Sequence, residues 1–156
     1  MTSEALSNGV GAVVANKSVL SNTVFPIDLA PAKSVLLSQT PMVIGYVVIV
    51  LALIITGGIS WTIVLLPLVW GFHVMGLIGV SWMLSLVNLV FRDLQNMIGI
   101  LMMVLMIISP IAYTPEMVPP VLKALLILNP FAYFVTAYQD VVIFGHLPAW
   151  WHAVIL

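Results

Sequence analysis

Four Lys/Arg, five Asp/Glu and three His carry the ionisable chemistry of 156 residues. Acid–base or metal chemistry needs histidine and carboxylate side chains brought together. His73, His146 and His152 are isolated, and none has a carboxylate at ligand spacing. No Cys is present, which removes thiolate metal sites and cysteine nucleophiles. Neither His-Glu-x-x-His nor Gly-x-Ser-x-Gly occurs. The phosphate-cradling Gly-x-x-x-x-Gly-Lys-Ser/Thr is also missing, so this chain has no P-loop for ATP. Two features remain. His73 stands alone in a long apolar run, where a neutral ring bonded to a neighbouring helix explains it better than a proton relay. Arg92 and Asp93 are adjacent, and adjacent residues on a helix do not face each other, so they do not read as a mutual salt bridge.

The elements that must hold these residues are set by composition. Hydrophobic residues make up 63%, charged residues 6%, and the mean hydropathy is +1.24. A soluble domain carries about 25% charged residues. Nine charges cannot coat a globule of this size, which excludes a soluble enzyme. A net charge of −1 without a basic cluster excludes a nucleic-acid binder. The expected fold class is all-α: a polytopic integral membrane helical bundle with re-entrant helices on the outer side.

No charge falls between Lys33 and Arg92. A spanning helix needs about 20 residues, so this run holds two spans and a break at 56–60, where Gly57-Gly58 favours a turn. Spans are expected at about 35–55, 61–90 and 94–111. Pro67, Gly71, Gly76 and Gly79 suggest that the second is kinked or close-packed. Ser81 and Ser85 form a small-xxx-small pair that lets another backbone approach. Residues 112–145 are broken by Pro115, Pro119, Pro120 and Pro130 and read as re-entrant. Residues 150–156 begin a last span. Residues 1–34 carry Ser, Asn, Gly, Pro26 and Pro31 between short apolar patches, and read as a surface segment with one short helix. With three crossings, Lys17, Lys33 and Arg92 share a side, which the positive-inside rule makes cytoplasmic. The chain opens in a loop and its last span is unfinished, so it is expected to be part of a longer membrane protein.

Four motifs then resemble a family. Val24-Phe25-Pro26-Ile27-Asp28-Leu29-Ala30-Pro31 is similar to an FP-x-E-x-x-P segment, with Asp28 in place of Glu. Asn88-Leu89-Val90-Phe91-Arg92-Asp93 resembles an N-x-x-F-R-D loop. Ser109-Pro110-Ile111-Ala112-Tyr113 with Met117-Val118-Pro119, and Leu128-Asn129-Pro130 with Ala137-Tyr138, resemble two further stretches. Together, in this order, they resemble the permeases of bacterial ABC exporters for polysaccharide and polyol-phosphate polymers, covering O-antigen, capsule and teichoic-acid types. That family has six spans; this chain resembles the region after the second span, into the sixth.

The resemblance implies roles. Residues 1–34 are the cytoplasmic coupling segment, with Asn16, Lys17, Val24, Phe25, Pro26 and Asp28 docking on a separate ATPase. Asn88, Phe91, Arg92 and Asp93 mark the pathway entrance. Tyr113, Met117, Pro119, Asn129, Pro130, Tyr133 and Tyr138 mark the outer re-entrant region near the exit, where tyrosine rings can stack on sugars. The resemblance implies no enzyme activity and no cofactor on this chain. ATP and Mg sit on the partner, and the permease acts as a homodimer in the bacterial inner membrane on a lipid-linked glycan. Rival expectations are a secondary transporter or channel, which normally places a carboxylate in mid-span, a membrane enzyme, and a non-functional fragment.

Overall fold

The computed structural model describes residues 2–16, 27, 29–58, 60–109 and 126–147. Every regular element among these residues is helical. In chain order they are α1 (Thr2–Ala15), α2 (Leu29–Leu37), α3 (Thr40–Thr56), a 3-10 turn at Trp61–Leu65, α4 (Leu66–Val90), α5 (Leu94–Ile108), α6 (Pro130–Gln139) and a π-helical turn at Asp140–Phe144. The chain is an all-α membrane helical bundle. Two stretches, Leu29–Thr56 and Trp61–Val90, are long and apolar enough to cross a membrane.

Local chemistry sets the element ends. α2 and α3 are separated by Ser38-Gln39 because Pro41 has no N–H to donate to the carbonyl of Leu37. The Thr40 hydroxyl takes that carbonyl instead, at 2.9 Å. α3 ends at Gly57, whose φ of 72° places it in the left-handed region, and its N–H returns to Ile54 O. Pro67 falls in the first turn of α4, directly after the 3-10 turn, where its missing N–H costs nothing. α5 stops at Ile108, two residues before Pro110. α6 begins with Asn129 as its N-cap and Pro130 in its first turn.

The helices form two compact units. One comprises Met1–Gly57 with Val74–Leu101, the other Gly58–His73 with Met102–Leu156. In the first unit, α1 packs on α2 and on the C-terminal half of α4. Its buried side is Ala5, Leu6 and residues 9–13. This is deeper packing than a surface segment needs. Val19, Leu20, Val24 and Phe25, which belong to the apolar patches of this segment, lie outside the described residues. By contrast, only 6% of the most apolar window of Leu29–Thr56 is buried, which leaves it to lipid or other spans.

Candidate functional site

In the first unit the site is the seat of α1. Gly9, Val10 and Gly11 meet Ser81, Asn88 and Gln95, three polar residues spaced by seven. Seven residues are close to two helical turns, so Ser81 and Asn88 lie on one face of α4, and both are buried. At Gly9 the two helices nearly touch. A Cβ there would stand 2.5 Å from Ser81 Oγ, 2.8 Å from Ser81 Cβ and 2.9 Å from a Val35 methyl. At Gly11 a Cβ would meet the Gln95 carboxamide. The Asn88 amide Nδ2 donates to Val10 O at 3.3 Å, and its Oδ1 accepts from Gln95 N at 3.2 Å. Asn88 thus satisfies one of the first-turn N–H groups that α5 cannot satisfy internally. Close approach at Gly9, the Asn88 bond and the buried Ala5, Leu6 and Val13 together hold α1. Ser85, one turn after Ser81, lines a cavity of about 340 Å³ with Val13, Ile27, Pro31, Trp82 and Leu86.

Of the residues expected to couple to a partner, Asn16 directly follows α1, with its side-chain amide donating to Ala12 O at 2.8 Å. Lys17, Val24, Phe25, Pro26 and Asp28 lie outside the described residues. Of the expected entrance residues, Asn88 is 1% exposed and works inside the packing. Phe91, Arg92 and Asp93 are exposed in the turn between α4 and α5. Backbone bonds from Phe91 N to Val87 O and from Leu94 N to Phe91 O tighten that turn.

In the second unit, α6 and the π turn pack on the 61–73 stretch. The Thr62 hydroxyl donates to Val141 O at 2.9 Å. His73 Nδ1 lies 3.1 Å from the Tyr138 hydroxyl, and its ring stacks on Phe134 at 4.4 Å between centroids. This is the neighbour-bonded ring expected from the sequence. Asn129 is buried and makes three bonds. Its Oδ1 accepts from Phe131 N at 3.0 Å, and its Nδ2 donates to Leu105 O and Ser109 Oγ, both at 2.9 Å. Pro130 follows it, exposed, in the first turn of α6. The Tyr133 hydroxyl donates to Ile127 O at 2.8 Å. Asn129, Pro130, Tyr133 and Tyr138 therefore share one helical element; Tyr113, Met117 and Pro119 lie outside the described residues. Among the described residues no cluster of three metal-ligating side chains exists.

Ser81 and Ser85 read in the sequence as a pair awaiting a backbone; Ser81 meets α1 at Gly9, while the Ser85 hydroxyl donates to Trp82 O in its own helix at 2.9 Å. Gly9, Gly11, Gln95 and Thr62 escape a reading of the sequence alone, and Ser109 stands in a motif with no role assigned. A signal is available for three of these: two glycines two apart in a helix, and a Gln seven residues beyond Asn88.

Residues 22–143 match the family model described as ABC-2 type transporter. Two proteins named O-antigen export system permease protein RfbA, from Klebsiella pneumoniae, are 29% and 26% identical to this chain over 122 residues. Each alignment covers 72% of this chain and 44% of the relative, so the chain spans under half the length of these relatives.

Proposed function

The chain belongs to the ABC-2 type transporter family, and on that premise we propose that it is the membrane-spanning part of an ATP-driven exporter permease. The permease performs no bond chemistry. A separate P-loop ATPase binds ATP and Mg, docks on the segment around Asn16, Lys17, Val24, Phe25, Pro26 and Asp28, and moves it. Two permease copies enclose a path across the bacterial inner membrane. The cargo is a lipid-linked polysaccharide or polyol-phosphate polymer, in keeping with the O-antigen export named for the two relatives. Arg92 and Asp93 contact the sugar headgroup of the cargo at the cytoplasmic mouth. The element around Asn129, Tyr133 and Tyr138 lines the exit.

One observation carries this reading. α1 leads directly into the proposed docking segment, and it is seated on α4, whose end bears the exposed Arg92 and Asp93. A push that reaches α1 therefore has a packed route to the α4–α5 turn. The test uses the full-length protein and the ATPase encoded with it. Changing the P-loop lysine of the ATPase is expected to abolish surface glycan while permease levels hold. Export that continues undiminished overturns the reading.

A second expectation concerns the entrance. Arg92→Ala is expected to lower export about tenfold at normal membrane level, the worth of one charge-assisted contact. Unchanged export removes Arg92 from the cargo path.

A further inference from the structure

We infer that Asn88 is a positioning residue that fixes α1 to the α4–α5 turn, so that movement of the coupling segment arrives at Arg92 and Asp93. This rests on the exporter reading above and assigns its transmission step to one side chain. Three observations carry it. First, Asn88 is buried, so it is placed to act on its neighbours and not on cargo in the path. Second, its carboxamide bonds two different elements at once, donating to Val10 O in α1 and accepting from Gln95 N in α5. Third, Val10 lies between Gly9 and Gly11, the two positions where α1 comes close to Ser81 and Gln95. The contact is therefore tight at Gly9, against Ser81 and Val35, and is closed at Gly11 by the end of the Gln95 side chain.

The geometry also says what fails when Asn88 is lost. Gly9 still meets Ser81, so α1 keeps a pivot. It loses the bond nearer the turn. α1 can then tilt without carrying residues 91–93 with it, and ATP hydrolysis runs without moving cargo. A purely structural role would lower both activities together.

The test uses the full-length permease with its ATPase in membranes. The 156 residues contain no Cys, so a single introduced thiol reports cleanly once any cysteines elsewhere in the protein are replaced. Val10→Cys is a near-isosteric change at a fully buried side chain and leaves the carbonyl in place. Its labelling by N-ethylmaleimide reports whether α1 remains seated. Asn88→Leu keeps the branching and the number of heavy atoms of the side chain and removes both bonds. Expected are labelling about tenfold faster, glycan export about tenfold lower, and ATP hydrolysis per complex within about twofold of the parent. Asn88→Gln, which retains both polar groups, is expected to recover at least half of the export.

Unchanged labelling and export with Asn88→Leu overturns the inference. So does a fall of ATP hydrolysis and export in equal proportion. If the parent protein shows no ATP-dependent export, the exporter reading fails instead, and labelling still decides whether Asn88 holds α1.

Discussion

Gly9→Val is expected to cost most of the correctly packed protein, with at least a tenfold loss of export. Valine demands room where a bare Cβ already lies 2.5 Å from Ser81 Oγ and 2.9 Å from Val35. Neither neighbour can swing away: Ser81 is fully buried on α4, and Val35 is buried on α2. α1 must therefore lift from both helices. Overpacking of this kind costs about 1–3 kcal/mol. Lifting also stretches the Asn88 bond to Val10, so the loss exceeds the clash alone. Gly9→Ala is the graded case. Helix propensity favours alanine by about 1 kcal/mol and offsets part of the clash. Gly11 sets the contrast. A Cβ there meets the end of the Gln95 side chain, which has rotamers to move into. Gly11→Ala is expected to be neutral or slightly stabilising. The measurement is the amount of monodisperse protein recovered from membranes, followed by export. Normal recovery of Gly9→Val, or Gly11→Ala proving worse than Gly9→Ala, would remove the close approach as a determinant.

Asn129→Leu is the second large effect, expected to destabilise the protein by about 2–3 kcal/mol. The arithmetic depends on which partners are left alone. Leu105 O keeps two donors, Ser109 N at 3.0 Å and Ser109 Oγ at 2.8 Å, so it is not orphaned. Phe131 N loses its capping acceptor, worth about 1 kcal/mol. The two bonds that tie α6 to the end of α5 are also lost, and bonds between membrane helices average about 0.6 kcal/mol each. Asn129→Ser separates the contributions. Serine caps a helix well but is too short to reach both Leu105 and Ser109, so it should fall midway. Thermal unfolding of the purified full-length protein, followed by size-exclusion chromatography, reads the order. If Asn129→Ser is as unstable as Asn129→Leu, capping is not the source of the effect.

The membrane character and all-helical fold were legible because charges were so few. The uncharged run from Lys33 to Arg92 outlines α2 to α4, and Gly57-Gly58 marks the place where α3 ends and the 3-10 turn follows. The division at Ser38-Gln39 was not legible. Pro41 acts through one carbonyl, that of Leu37, and an apolar run around it hides the effect from any reading based on charge and hydropathy. The seat of α1 was half legible. Ser81 and Ser85 announced a close approach, but nothing local names Gly9 as the partner more than 70 positions away. Asn88 and Asn129 stood out as parts of motifs. Their bonds did not, because a carboxamide that caps a neighbour's backbone has the same sequence signature as one that faces a channel.

Asn88 and Asn129 hold the two ends of α5, each through an uncharged amide. Moving one formal charge across the full membrane potential changes its energy by about 2.3 kcal/mol per 100 mV. Amides offer it almost nothing to pull on, and salt does not screen them as it screens ion pairs. α5 is thus anchored by bonds that neither the membrane potential nor ionic strength can weaken directly.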